Sequence, residues 1–269
     1  MQHTIRSLEL ADIECIPSFQ PKDWGDVATR FREHFGQSYF KPIKALKDNE
    51  LVGIGQLILF EASAWLGNII VKESHWHQGI GKSITLHLME MAKDYNKSDL
   101  YLLATTQGQP LYTKLGFQTC GTHHFYKQEQ PIVNSSRPHP AIRRAEPQDF
   151  AAMLQLDEQA SGEKRGALLQ RYLTGGWVFL AENQASIEGF YLPGLGEGLI
   201  VATNASAGIA LLECRNQPNV VIPSDNIMVS KYLQTQSYQC FRTASLMYKG
   251  KNKTWQPQLI YSRIGGYAG

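Results

Sequence analysis

The residues whose types and spacing best suit a chemical task lie between Ile69 and Ser83. Ile69-Ile70-Val71 ends an apolar run, Lys72 to Gln78 is polar, and Gly79-Ile80-Gly81-Lys82-Ser83 opens an amphipathic stretch. A strand feeding a glycine-bearing turn and then a helix leaves the first helical amides without internal acceptors, at the positive end of the helix dipole. Glycine at 79 and 81 removes the Cβ atoms that would hold a pyrophosphate away from those amides. Hydrogen bonds to a charged partner contribute about 1.5–3 kcal/mol each, so a few such amides anchor a diphosphate. Taken alone, Gly79-Ile80-Gly81 is equally a plain strand-turn-helix with glycine at the turn. Two phosphate-binding patterns are excluded. The nucleoside-triphosphate loop requires a further glycine upstream of Gly81-Lys82-Ser83, and the dinucleotide pattern requires glycine where Ile84 stands.

The elements that position this loop follow from the pattern around it. Val52 to Phe60 and Trp65 to Val71 form adjacent strands joined at Glu61-Ala62-Ser63. Gly79 to Lys93 is a helix, with Ile80, Ile84, Leu88 and Met91 on one face. Leu100 to Ala104 is a buried strand, Pro110 to Leu115 a short helix ended by Gly116, and Phe117 to Lys127 a hairpin. Strands on both sides of a helix predict an α/β sandwich around a mixed sheet.

The chain also repeats itself. Ile5-Arg6 followed by Asp12-Ile13 is echoed by Ile142-Arg143 followed by Asp149-Phe150, each acid falling near a helix start, where the dipole favours it. Gly116-Phe117-Gln118 and Thr122 are echoed by Ser237-Tyr238-Gln239 and Thr243. Both copies then reach Tyr-Lys, at Tyr126-Lys127 and Tyr248-Lys249. Matches in one order imply tandem duplication. Pro131, Ser135, Ser136, Pro138 and Pro140 lie between the copies, in linker composition. The expected division is a first domain over residues 1–130, a linker over 131–140 and a second domain over 141–269.

With these elements in place, the loop Trp76-His77-Gln78-Gly79-Ile80-Gly81-Lys82 and the later Leu111-Tyr112-Thr113-Lys114-Leu115-Gly116-Phe117 resemble the GNAT acetyltransferase superfamily. Leu103 to Tyr112 and the terminal Met247-Tyr248-Lys249-Gly250, Ile260-Tyr261 and Gly265-Gly266 are similar to its two-domain bacterial branch. In that branch a degenerate acetyltransferase-like domain follows the first, so the resemblance implies tandem GNAT-like folds and covers nearly the whole chain. It implies acetyl-CoA as co-substrate, no metal, and transfer of an acetyl group to a primary amine. Ile70, Val71, His77, Gln78, Gly79, Ile80, Gly81, Lys82, Ser83 and Thr105 fall at its cofactor-binding positions. Two positions depart from the pattern. Trp76 stands where the family has Arg or Gln, and the family's usual Asn after the long helix is replaced near Thr105.

Acyl transfer from a thioester to an amine requires the amine to lose a proton and favours protonation of the departing thiolate. Tyr112 matches the position that supplies that proton in relatives, and a phenol of pKa near 10 stays protonated at neutral pH. Packing beside Leu111 and Leu115 is the other use for Tyr112. A general base is harder to assign, because the strand Trp65 to Val71 carries no acid. Glu73, His75, Glu61, Glu33 and His34 are the nearest titratable groups. Deprotonating an amine of pKa about 10.4 at pH 7 costs about 4–5 kcal/mol, whereas one near 8 costs only about 1. A water chain or a low-pKa acceptor therefore removes the need for a strong base. The acceptor pocket is expected between Phe19 and Phe40 and along the hairpin after Phe117, with Trp24 and Phe35 as substrate-binding candidates.

The second copy reads Gly198 to Gly208 at the loop position, without the close glycine pair, and Leu233 where Tyr112 stands. It is expected to be a scaffold or a subunit contact. The remaining features bound the partners. The chain has 269 residues, 43% hydrophobic and 19% charged, as in a soluble globular protein. A net charge of +2 gives no footing for nucleic acid, and Leu51 to Val71 is too interrupted to span a membrane. Four scattered cysteines fit a reducing cytoplasm. A small-molecule amine is the expected partner, with a homodimer as a further candidate. A protein lysine as acceptor, or acyl-CoA binding without turnover, are the alternatives.

Overall fold

The computed structural model describes residues 3–128, 139–182 and 186–269. The first half runs β1 (Thr4–Ser7), a 3-10 segment (Leu10–Ser18), α1 (Val27–His34), β2 (Phe40–Lys47), β3 (Glu50–Leu59) and β4 (Ser63–Val71). It continues through α2 (Ile80–Asp94), β5 (Asp99–Ala104), α3 (Gln109–Lys114) and β6 (Gln118–Gln128). The second half repeats that order. It comprises β7 (Ile142–Arg144), α4 (Phe150–Ser161), α5 (Gly166–Gln170), β8 (Trp177–Leu180), β9 (Ile187–Leu192) and β10 (Leu199–Ala202). After these come α6 (Ala205–Glu213), β11 (Asn219–Pro223), α7 (Ile227–Thr235), β12 (Tyr238–Lys249) and β13 (Ile260–Ser262). The expected linker lies outside the described residues except for its last two positions.

The duplication is visible in chemistry as well as order. Asp12 Oδ2 accepts the Glu9 amide at 2.7 Å, and Asp149 Oδ2 accepts the Glu146 amide at 2.7 Å. Both repeated acids thus tie down helix starts, whose first amides have no internal acceptor.

The halves exchange strands. One sheet has the order β1-β2-β3-β4-β5-β12-β6-β11, and the other β13-β10-β9-β8-β7. Among the described residues only β4 and β5 pair in parallel, so the sheet is mixed as expected. The stretch Phe117 to Lys127, expected as a hairpin, is one long strand. Its glycine, Gly121, sits at a bulge opposite Leu246, not at a turn, and β12 of the second half occupies the place of the hairpin mate. β12 pairs on its other edge with β5, from Ser245↔Ala104 to Lys249↔Leu100.

Alternation along β4 divides the core into two faces. Ala64 and Leu66 point to α2 and pack with Ile80, Ile84 and Leu88. Trp65 and Ile70 point the other way, toward Ile13, Ile16 and Phe31 of the α1 region and Met153 and Leu168 of the second half. A buried carboxylate joins the halves at the foot of β4. Glu163 accepts from Ser63 Oγ at 2.5 Å, Trp65 Nε1 at 2.8 Å and Lys253 Nζ at 2.6 Å. Beside it, Arg165 and Asp157 form an ion pair at 2.5 Å with both side chains 1% exposed, so each compensates the other's desolvation. Among the described residues no helix is long and apolar enough to cross a membrane.

Candidate active site

β4 and β5 pair only from Ser63↔Asp99 to Trp65↔Tyr101. Beyond that point they part, and β4 runs on to Val71 while β5 ends at Ala104. The parting coincides with a bulge. Pairing with β3 skips between Gln56↔Gly67 and Ile54↔Ile70, and Asn68 there has φ +47°. A non-glycine residue in that region is sterically disfavoured, and it is held here by a bond from Asn68 Nδ2 to Gln56 Oε1 at 3.0 Å.

The loop after β4 forms as the glycines require. Gly79 caps α2 with φ +79°, a conformation that side chains with Cβ rarely adopt, and His77 turns the chain with φ +62°. The Ser83 amide closes onto the Gly79 carbonyl at 3.0 Å. The amides of Ile80, Gly81 and Lys82 precede it and have no helical acceptor. Ile80, 1% exposed, anchors this turn in the core beneath α2. A Cβ built on Gly79 meets nothing within 4 Å, and one on Gly81 meets only Val71 Cγ2 at 3.8 Å, so open space lies beside both glycines. Trp76 does not reach into that space. Its Nε1 donates to the Val71 carbonyl at 2.8 Å and so pins the loop to the strand end. Gln78 is held at the rim by Lys47 Nζ at 2.7 Å. Lys82 is exposed.

Across the gap from Ile70 and Val71, the end of β5 carries Thr105 and the start of α3. Thr105 Oγ1 accepts the Gly108 amide at 3.2 Å, so its hydroxyl is spent on turning the chain into α3. The Tyr112 ring folds back over Gly108 and packs edge-on to Phe117 at 6.1 Å. Burial pushes the Tyr112 phenol up to about 12, which keeps it protonated across the neutral range.

Trp24 and Phe35 are partly buried in the core of the α1 face, whereas Tyr112 packs on the α2 face. Val71 and Tyr112 thus pack against the same α2-face core, whereas Trp24 and Phe35 lie on the opposite face of the sheet. That face also holds Gly67 and Tyr267, which pattern reading did not single out, and His34, which it named among the nearest titratable groups. The Gly67 position is covered by Tyr267, whose Cα lies 2.7 Å from where a Gly67 Cβ would stand. His34, 1% exposed, meets the Tyr39 hydroxyl through Nδ1 at 3.1 Å. Burial, then the nearby Arg171 and Arg30 charges, push His34 down to about 4, so it is neutral at pH 7. The other base candidates stand apart: Glu61 pairs with Lys164 at 3.1 Å on the surface, and Glu33 and Glu73 are exposed. An Asn inside an otherwise apolar strand, Asn68, was the one sequence signal of the bulge. Among the described residues no group of three or more His, Cys, Asp or Glu side chains is placed to hold a metal.

Comparison with known proteins matches this geometry. Residues 6–117 fit the model of the acetyltransferase (GNAT) family. That match gives residues 6–117 the pattern of a GNAT acetyltransferase domain. No curated protein sequence matches significantly. Among solved structures, a candidate acetyltransferase from Pyrococcus horikoshii aligns at TM-score 0.82 and 22% identity, over 99% of this chain and 96% of that one. A tandem GNAT protein from the clavulanic acid biosynthesis pathway aligns at TM-score 0.63 and 10% identity, over 94% and 100%. A GCN5-related N-acetyltransferase from Sphaerobacter thermophilus aligns at TM-score 0.63 and 12% identity, over 94% and 97%. At these identities the likeness is one of fold, and the fold is the tandem GNAT arrangement.

The second GNAT-like half lacks the corresponding gap. β13 pairs with β10 through Ile200↔Ser262 and Val201↔Ile260, and the Arg263 amide bonds the Val221 carbonyl of β11 at 3.0 Å. The chain's own strand thus fills the place between the strands equivalent to β4 and β5. At the start of α6 the Ala207 amide is taken by Asn204 Oδ1 at 3.0 Å.

Proposed function

We propose that the chain transfers an acetyl group from acetyl-CoA to the primary amine of a small molecule, in the gap between β4 and β5. The observation that carries this reading is the open cradle of Ile80, Gly81 and Lys82 amides at the rim of that gap. The residues fit the co-substrate. His77, Gln78, Gly79, Ile80, Gly81, Lys82 and Ser83 shape the pyrophosphate seat, and Ile70 and Val71 line the gap that a pantetheine arm needs. Acetyl-CoA supplies the acetyl group and the thiolate leaving group. Tyr112 supplies a proton to the departing thiolate, from a phenol that remains protonated in the neutral range. Thr105 holds the α3 turn that aims Tyr112.

On the α1 face the tail around Tyr267 closes over Gly67, which favours a small acceptor over the side chain of a folded protein. Without a carboxylate assigned as base, the acceptor enters with its amine neutral or loses its proton through ordered water. The test is release of free thiol from acetyl-CoA in the presence of panels of small amines and of lysine-bearing peptides. Turnover with small amines and none with peptides supports the proposal, whereas turnover confined to peptides overturns it.

A further inference from the structure

The α1 face of the β4 bulge holds unspent hydrogen-bond donors that the transfer chemistry itself does not use. Gln56 is 1% exposed and pairs directly across from Gly67, so its side chain shares the face on which Tyr267 sits. Its Oε1 accepts from Asn68, but Nε2 has no partner among the described residues. Nε2 of His34 is likewise unpartnered, while the Tyr39 hydroxyl engages Nδ1. The His34 ring lies 5.9 Å from that of Tyr267, and the Arg30 guanidinium stands 5.6 Å over the same Tyr267 ring. Arg30 meets Glu197 only at 3.8 Å, too long for a hydrogen bond. His34 and Arg30 therefore face the Tyr267 ring, Gln56 shares that face of the sheet, and Gln56 and His34 are buried with a nitrogen left free. Buried polar groups are satisfied in native proteins, and Arg carries donors only, in a fork that matches a carboxylate.

We propose that this face is a carboxylate-reading acceptor site, in which Gln56 and Arg30 bind the carboxylate of a small amino acid and present its amine at the Gly67–Asn68 bulge. This rests on the acetyl-transfer reading above. Tyr267 forms the wall of the site, and glycine at 67 makes that wall fit.

The experiment compares acetylation of the common amino acids with that of the amines they yield on loss of the carboxylate, in wild type and in Arg30→Gln and Gln56→Leu. Acetyl-CoA affinity is measured on each protein by calorimetry. The expected result is a KM about tenfold or more lower for the amino acid in wild type, lost in both variants, with acetyl-CoA affinity unchanged. Should Gln56→Leu not fold, Gln56→Glu keeps an acceptor for Asn68 and repels the carboxylate, so it must show the same loss. Equal use of both amine types, or variants with unaltered KM, overturns this inference alone. Wild type that fails to bind acetyl-CoA overturns the acetyl-transfer reading together with it.

Discussion

The ring of Tyr261 lies directly on Gly208, inside the space that a Cβ at that position would occupy. Tyr261 belongs to β13, and β13 fills the gap between β10 and β11. The same contact therefore packs α6 and closes the slot that in the first half separates the ends of β4 and β5. Gly81 in the first half and Gly208 in the second are both helix glycines, yet one faces open space and the other a buried ring.

That contrast predicts opposite consequences for two glycine substitutions. Gly208→Ala overpacks the Tyr261 contact and should destabilise the protein by about 1–3 kcal/mol, with acetyl-CoA affinity unchanged. Denaturant unfolding together with calorimetry reads both. Gly81→Leu should leave stability within about 1 kcal/mol, because its backbone is helical and its surroundings are open. The added side chain fills the cradle, so acetyl-CoA affinity should fall at least about tenfold.

Tyr112→Phe removes the phenol and keeps the packing against Phe117. It should lower kcat by about a hundredfold or more while acetyl-CoA affinity holds. The pH profile gives a second reading. With the phenol at about 12, wild-type kcat should show no alkaline loss from this group up to pH 10. An activity unchanged in Tyr112→Phe removes the acid role.

Buried His34 makes stability depend on pH. Its folded pKa is depressed to about 4, below the ordinary 6.5, so on acidification the unfolded chain takes up a proton before the folded one does. Stability from this group is fully present above about 6.5 and falls as pH drops toward 4, by about 3 kcal/mol in total. His123, also buried and shifted down, adds a loss of the same sign. Denaturation midpoints of His34→Phe should therefore decline less steeply between pH 6.5 and 4 than those of wild type. Parallel curves would contradict the assignment.

The loop, α2 and the repeated acids were legible in sequence because each is a local device. Gly79 and Gly81 mark a turn whose geometry only their own backbone sets, and Asp12 and Asp149 cap within three residues. The strand exchange was not legible. The pattern from Gln118 to Gln128 specifies extended chain and says nothing of its neighbour, so it reads as a hairpin, whereas Gly121 marks a bulge opposite Leu246. The acceptor face was hidden for a similar reason. Gln56, His34 and Tyr267 are far apart in sequence, and pairing across β3 and β4 brings them to one face.

The exchange carries its own prediction. β12 lies between β5 and β6, so a fragment of residues 1–130 exposes the edge of β5 that Ser245 to Lys249 normally pairs. Such a fragment should be aggregated or unfolded by size-exclusion chromatography and circular dichroism, and should bind no acetyl-CoA. Adding the separately produced second half during refolding should recover binding.

The most direct measurement is a calorimetric titration of the full chain with acetyl-CoA, repeated on Gly81→Leu. An open cradle in the first half and a slot filled by β13 in the second predict one site per chain, lost in the variant. Two sites per chain, or binding that survives in Gly81→Leu, would contradict the account.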